Sequence, residues 1–338
     1  MSNGAHKAKV ILAGDVGGTH ARLALMEARG ENLSLVTEKI YPSHDYSKLE
    51  DIVTEFLEEN ETKPELAGIG VAGPIRDGKC VATNLPWVVD AATLAAACGL
   101  TRVELLNDLE ANAYGISTLA VTDFAVLQKG IPNAQGNAAV ISAGTGLGEA
   151  GMYFDGAMLR PFAGEGGHAS FAPEGEVQGE LFTFLRRRFG HVSCERVLSG
   201  PGLVNIYEFL RDTGRGPETP AIVEQMRSGD PAAAISHGAV TDTCQLCDEA
   251  VEIFVQIYGA EAGNLALKVL ATGGIYIGGG IAPKMLSELQ RPLFLEAFLG
   301  KGRMKPLLEA IPVLVILNEN TALRGAARGA FIHTAYRI

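Results

Sequence analysis

Residues 10–25, VILAGDVGGTHARLAL, place an acidic residue and a glycine pair between two apolar runs, and this pattern decides the fold. The run before Asp15 is short and apolar, as in a buried strand, and Ala21, Leu23 and Leu25 alternate at the period of a second strand. Familiar phosphate-binding loops lead directly into a helix instead. The sequence therefore predicts a glycine turn between two strands, with Asp15 at the end of the first.

The glycine pair suits the binding of a small anion. Two glycines let backbone N–H groups approach a ligand closely, and successive N–H groups form a concavity that binds phosphate. A carboxylate beside a phosphate requires a cation between them, usually Mg²⁺, and Asp15 is in the position to hold it. An ordinary tight hairpin with a polar tip is the alternative.

The same outline recurs at residues 139–154, AVISAGTGLGEAGMYF. Three of its glycines match the G-x-G-x-x-G pattern, but residues 152–159 predict a strand and a turn rather than the helix that a dinucleotide fold requires. Two such hairpins in two domains are expected to hold one polyphosphate from opposite sides. A third cluster, TGGIYIGGGIAPK at 272–284, predicts a further ligand loop before a helix starting near Ala282 or Pro283, with a pure packing role as the alternative.

Length and composition favour a two-domain α/β protein with small-molecule ligands. The 338 residues are many for one core, and strand-like and helical patterns alternate along the chain. The formal net charge of −11 argues against nucleic acid or an anionic membrane as a partner. No apolar signal segment is expected at the N-terminus, and residues 263–281 predict helix, turn and strand rather than a membrane span.

The five cysteines indicate reduced thiols in a cytoplasmic setting. Cys244 and Cys247 fall on one apolar stripe of a helix predicted over residues 236–258, together with Val240 and Phe254. Because no second cysteine pair exists, core packing is preferred to a zinc or redox site.

Several polar residues have no explanation in hydrophobic periodicity. Asn107 and Asp108 follow a predicted strand and begin a helix, where they could bind a ligand at the sheet edge or simply cap the helix. The other members of this set are Thr83, Asn84, Glu165, His168 and Glu195. Together they supply the carboxylates, amides and imidazole that bind a molecule rich in hydroxyl groups.

Seven motifs, in order along nearly the whole chain, resemble the bacterial glucokinase family, in the hexokinase branch of the actin-like ATPase superfamily. They are GDVGGTHARLAL, TNLPW, LLNDLEANAYG, SAGTGLGEAG, FAGEGGHASFAP, GHVSCERVLSGPGLVNIY and GGIYIGGGIAPK. The resemblance implies two ribonuclease-H-like α/β domains around a deep cleft. The small domain would comprise residues 1–117 plus 319–338, and the large domain residues 118–318.

The resemblance also implies an activity and a role for each motif residue. The reaction would be ATP-dependent phosphorylation of D-glucose at the 6-hydroxyl, giving glucose 6-phosphate and ADP in the first step of glycolysis. Asp108 would be the catalytic base, and Asp15 would hold Mg²⁺. The sugar would be bound by Asn84, Asn107, Asp108, Glu165, His168 and Glu195, and ATP by Gly14, Asp15, Gly17, Gly18, Thr19, Gly144, Thr145, Gly146, Gly148, Gly279 and Gly280. A cytoplasmic homodimer is expected.

Other functions remain open at this point. A hexokinase of broader specificity would use the same residues. A sugar sensor on the same fold would bind sugar without transferring phosphate, although related regulators carry an added DNA-binding segment for which the first strand, near residue 9, leaves no room. An actin-like or chaperone-type ATPase would keep the glycine hairpins but has no need of the sugar-binding set.

Overall fold

The computed structural model describes residues 9–29, 32–82, 85–241 and 243–335. The chain forms two compact units, a first unit of Met1–Val121 with Asn318–Ile338 and a second unit of Thr122–Leu317. Among the described residues, none of the helices has the length and apolar character needed to cross a bilayer.

Both units contain helices and strands. The strands are β1 (Lys9–Val16), β2 (His20–Arg29), β3 (Asn32–Pro42), β4 (Leu66–Val71), β5 (Ile75–Arg76), β6 (Lys79–Val81), β7 (Val88–Asp90), β8 (Arg102–Asn107), β9 (Phe124–Gln128), β10 (Ala138–Ala143), β11 (Leu147–Phe154), β12 (Leu159–Gly164), β13 (Gly274–Gly278) and β14 (Val313–Ile316). The α-helices are α1 (Leu49–Glu58), α2 (Ala91–Cys98), α3 (Asp108–Ile116), α4 (Gly175–Phe189), α5 (Gly200–Asp212), α6 (Pro220–Ser228), α7 (Pro231–Val240), α8 (Gln245–Val269), α9 (Leu286–Leu289), α10 (Pro292–Leu299), α11 (Lys305–Glu309) and α12 (Thr321–Ala335).

The first unit is built on a five-stranded sheet of order β3-β2-β1-β4-β8. Strand β1 pairs antiparallel with β2 and parallel with β4, which pairs parallel with β8. Successive residues of β1 point to opposite faces: Ile11 belongs to one apolar cluster with Leu323 of α12, and Leu12 belongs to another with Phe56 of α1. Both faces of the sheet are therefore covered, as parallel sheets require.

The second unit repeats this arrangement in a six-stranded sheet of order β12-β11-β10-β13-β14-β9. Strands β10 and β11 form the antiparallel hairpin, β13 and β14 are the parallel partners, and β12 extends the hairpin as β3 does in the first unit. Both hairpins predicted from residues 10–25 and 139–154 are confirmed, and so is their internal repeat.

Helices α3 and α12 of the first unit pack through glycines. A Cβ on Gly325 would overlap the carbonyl oxygen of Ala111, and one on Gly115 would overlap that of Thr321. The backbones of the two helices touch at these positions, which leaves no room for any side chain.

Gly325→Ala should therefore lower the free energy of unfolding by at least about 1–3 kcal/mol, the usual cost of overpacking. Gly179→Ala in α4 is the matched control, because no atom lies within 4 Å of the added methyl group, and it should stabilise the helix by roughly 1 kcal/mol. Thermal unfolding followed by circular dichroism measures both changes. Equal melting midpoints for Gly325→Ala and the unchanged chain would contradict the close helix contact.

Two predicted helices differ from those in the structure. The predicted helix over 236–258 is two helices, because Thr241 closes α7 by bonding the His237 carbonyl (Oγ1 to O, 2.8 Å), and the Cys244 sulfur then caps α8 by accepting from Cys247 N–H (3.3 Å). Val240 is accordingly 53% exposed and lies off the apolar stripe, whereas Cys244 and Cys247 are buried in the core as predicted.

The helix predicted to start near Ala282 or Pro283 begins instead at Leu286. Residues 281–285 form consecutive turns. Ile281 N–H donates to the Ala143 carbonyl (3.4 Å), which ties this segment to the end of β10 instead of to a helix of its own.

Candidate functional site

The carboxyl ends of three parallel strands meet at one edge of the first unit's sheet. Val16 of β1 is paired with Val71 of β4, which is paired with Asn107 of β8. Asp15 and Asp108 flank this row, and two strand spacings separate their strands by about 10 Å. The structure thus brings these two predicted carboxylates to the same sheet edge, where α/β folds bind ligands.

The turn between β1 and β2 has a backbone fixed by its own bonds and by Ser43. Gly17 N–H donates to the His20 carbonyl (3.0 Å), Ser43 Oγ donates to the Gly17 carbonyl (2.9 Å), and Ser43 N–H donates to the Thr19 carbonyl (2.9 Å). Ser43 is fully buried. Sequence reasoning missed Ser43, because it acts on backbone atoms and stands in no recognisable motif.

Asp15 borders a cavity of about 360 Å³ in the first unit, lined by Asp15, His20, Arg22, Ile40 and Glu319. Burial raises the pKa of Asp15, and the nearby Arg22 guanidinium offsets part of that rise. Arg22 is itself held by the Asn320 side chain (Nη1 to Oδ1, 2.8 Å). No group of three or more His, Cys, Asp or Glu side chains suited to a metal occurs in the described part of the chain.

Asn107 and Asp108 cap helix α3. Asn107 Oδ1 accepts from Leu109 N–H (3.0 Å), its Nδ2 donates to the Gly73 carbonyl (3.3 Å), and Asp108 Oδ1 accepts from the same Leu109 N–H (2.9 Å). The capping role considered from the sequence is therefore confirmed. It orients both side chains and is compatible with binding, since each side chain has further hydrogen-bonding capacity.

The glycine turn of the second unit is tied to Glu195. Gly144 N–H donates to the Gly146 carbonyl (2.8 Å), and Leu147 N–H donates to Glu195 Oε2 (3.0 Å). Glu195 lies in the 3-10 turn Cys194–Arg196, here named the Glu195 turn. The structure therefore places a predicted sugar-binding carboxylate against a predicted phosphate-binding turn.

Glu165 and His168 flank a second 3-10 turn, here named the Glu165 turn (residues 165–168). Their side chains are 63% and 64% exposed and lie 3.8 Å apart, from Oε2 to Nε2. A Cβ on Gly167 would overlap the Leu147 carbonyl oxygen, so only glycine lets the turn lie directly on β11. Cys194 N–H donates to the Ala169 carbonyl (2.9 Å) and joins the two turns.

A cavity of about 1000 Å³ opens within the second unit. Its lining includes the predicted loop residues Gly144, Thr145 and Gly280. The neighbouring Gly279 has a φ of 84°, and a Cβ there would overlap the Ala143 carbonyl oxygen. The cavity has the size of a nucleotide site, and the two glycine clusters meet in it.

Further lining residues of this cavity were missed by sequence reasoning. They include Asn205, Glu208, Asp230, Ser236, His237 and Lys284. The available signal was the Asp-Pro pair at 230–231, since Asp230 caps α7 by accepting from Ala232 and Ala233 N–H groups.

Two of the predicted ATP-binding glycines lie within strands rather than in the turns. Gly14 is within β1, where a Cβ would come 2.7 Å from Ile69 Cδ1, and Gly148 is within β11, paired with Ser142. Asn84 lies outside the described residues.

Comparisons with known proteins show which family this chain resembles. The family model described as Glucokinase matches residues 12–332. A protein named glucokinase from Nostoc punctiforme is 42% identical over 333 residues, covering 94% of this chain and 98% of that protein. The crystal structure of a glucokinase from an Antarctic psychrotroph matches with a TM-score of 0.83 and 32% identity, covering 96% of this chain and 99% of that one.

A structure of a ROK family glucokinase from Streptomyces griseus, in complex with glucose and AMPPNP, matches in fold. Its TM-score is 0.66 at 20% identity, and the match covers 95% of this chain and 99% of that one. These likenesses confirm the predicted α/β fold class of the actin-like ATPase type.

Proposed function

This chain belongs to the glucokinase family, and we propose that it transfers the γ-phosphoryl group of ATP to the 6-hydroxyl of D-glucose with Asp108 as the general base. The enzyme phosphorylates glucose. The observation that carries the residue assignment is the position of Asp108 on the first turn of α3, at the edge where β1, β4 and β8 end.

The resemblance assigns the sugar hydroxyls to Asn107, Asp108, Glu165, His168 and Glu195. Carboxylates accept hydrogen bonds from hydroxyls, whereas amide and imidazole groups can also donate them. Asn84 is included on the resemblance alone.

The phosphates of ATP are assigned to the two glycine turns and the nucleotide to the large cavity of the second unit. The residues present fit a magnesium ion, because Asp15 is a half-buried carboxylate that borders a cavity beside the first turn. Mg²⁺ usually keeps several waters and takes only one or two protein carboxylates alongside substrate phosphates. When bound, it supplies neutralisation of the phosphate charge, and Asp15 would hold it.

Phosphoryl transfer chiefly requires that the protein position the reactants and stabilise the charge of the transition state. Asp108 accepts the proton of the 6-hydroxyl as the oxygen attacks the γ-phosphorus. Asn107, anchored at both ends of its amide, fixes the backbone that presents Asp108. The resemblance also supports a homodimer in the cytoplasm, and we include both in the proposal.

The proposed function is tested by measuring the rate of ADP formation from MgATP without sugar, and then separately with D-glucose, D-mannose, D-fructose and D-glucosamine. We expect glucose to give the highest kcat/KM and the rate without sugar to be negligible. Comparable rates with several hexoses would instead indicate a broader hexokinase. Glucose binding without any ADP formation would indicate a sugar sensor.

A further inference from the structure

A pair of carboxyl groups is buried behind the Glu165 turn. Glu149 of β11 is 4% exposed and Glu261 of α8 is 5% exposed. Glu261 is well satisfied: its Oε1 accepts from Lys268 Nζ (3.0 Å) and its Oε2 from Asn264 Nδ2 (2.9 Å). Glu149 is not, since its buried Oε1 has no hydrogen-bond partner among the described residues.

A proton on Glu149 resolves this arrangement. Two ionised carboxylates are both acceptors and cannot bond to each other, whereas a protonated carboxyl donates to its neighbour. Burial and the adjacent Glu261 carboxylate, which lies within hydrogen-bonding reach, raise the pKa of Glu149 to about 7. Glu149 therefore keeps its proton below about pH 7 and ionises above it.

The ionisable groups that interact with Glu149 are Glu261, Lys268 and Cys194. Glu261 raises its pKa and Lys268 lowers it, both from α8. Cys194 of the Glu195 turn is a buried thiol whose own pKa burial and these carboxyls raise to about 12, so it stays neutral. The Glu165 turn presents Gly166 to this side, and its two ionisable side chains are exposed instead.

The pair supports both turns that carry proposed sugar-binding residues. A Cβ on Gly166 would overlap Glu149 Oε2, so the Glu165 turn rests directly on that carboxyl group. Cys194, which immediately precedes Glu195, interacts with Glu261. Two negative charges at this point would push against the backbone that presents Glu165, His168 and Glu195.

We propose that Glu149, in its protonated form, is a positioning residue for glucose binding that holds the Glu165 and Glu195 turns in place. The inference rests on the proposed function, since these turns are taken to bind the sugar. Glu149 touches no reacting atom, so its ionisation changes KM for glucose and leaves kcat nearly unchanged.

KM for glucose should rise with pH between pH 6 and pH 9. A coupling of one pKa unit between the proton and the sugar corresponds to a KM change of about tenfold. By reciprocal linkage, bound glucose would raise the proton affinity of Glu149 by the same factor. Calorimetric titration of glucose across this pH range gives the affinity independently of turnover.

Four variants separate this effect from general damage. In Glu149→Gln the amide N–H replaces the carboxyl O–H as a hydrogen-bond donor. KM for glucose should therefore be low and should no longer rise with pH. Glu261→Gln should move the rise to lower pH and Lys268→Met should move it to higher pH, because their charges act on Glu149 in opposite directions. Glu176→Gln, at an exposed position of α4, is the control for loss of one negative charge and should follow the unchanged chain.

Stability provides a second measurement. The folded-state pKa of Glu149, about 7, lies above its ordinary value of 4.5, so its stabilising contribution is full below pH 4.5 and is lost as pH rises towards 7. The melting temperature of Glu149→Gln minus that of the wild-type protein should therefore increase between pH 5 and pH 8.

The proposal is overturned if Glu149→Gln and the wild-type protein show the same pH dependence of KM. It is also overturned if Lys268→Met and Glu261→Gln both move the pH at which KM rises in the same direction. The second criterion stands even if Glu149→Gln fails to fold. Absence of glucose-dependent ADP formation in the unchanged chain would refute the proposed function instead. The two failures are thus distinguishable.

Discussion

Asp108→Asn is expected to lower kcat by about 10²–10⁴, the usual contribution of a positioned general base. KM for glucose should change little. The asparagine oxygen can still accept from Leu109 N–H, so the cap of α3 is kept, and only the capacity to take the proton of the 6-hydroxyl is lost. Steady-state kinetics with glucose as the varied substrate measures both parameters.

Asp90→Asn is the matched control. Asp90 also caps a helix of the first unit, since it accepts from Ala92 and Thr93 N–H groups, but it has no role in the proposed site. Its replacement should leave kcat unchanged. If Asp108→Asn kept a kcat within about threefold of the unchanged chain, the assignment of the base would be wrong.

Asp15→Asn is expected to lower kcat/KM for MgATP by about 10²–10³, because transition-state charge would lose part of its stabilisation. The Mg²⁺ concentration that gives half-maximal rate should rise. Burial raises the pKa of Asp15, so its charge is unfavourable to folding, and the neutral amide should leave the melting temperature unchanged or higher. Lost activity without lost stability would indicate a functional reason for the carboxylate.

Mg²⁺ titration of the ATP-dependent rate at saturating glucose makes this measurement. An unchanged Mg²⁺ dependence in Asp15→Asn would contradict the metal assignment. A parallel loss of melting temperature and activity would instead assign Asp15 a structural role.

The hairpins could be predicted from sequence because alternation around Asp15 and around Gly144–Gly146 is a local property. The break between α7 and α8 could not. Val240 and Cys244 keep the helical period across the gap, and the break depends on a hydroxyl bond from Thr241 that a hydrophobic pattern does not register. The short sheet β5-β6-β7 was missed for a similar reason, since its strands have only two or three residues.

The site was predictable where a residue interrupts a pattern and unpredictable where it continues one. Glu165 and His168 stand out beside a glycine pair with no apolar period. Glu149 and Ser43 do not stand out, because each acts through neighbours that are distant in sequence, Glu261 and Gly17. Long-range contacts of this kind are fixed by the fold and leave no local signal.

The most direct test of the central claim is the rate of ADP formation from MgATP with D-glucose compared with that with 6-deoxy-D-glucose, which lacks the acceptor hydroxyl. We expect one glucose 6-phosphate for each ADP with glucose, and a negligible rate with the deoxy sugar. Equal rates with both sugars would show hydrolysis of ATP and would contradict phosphoryl transfer to the 6-hydroxyl.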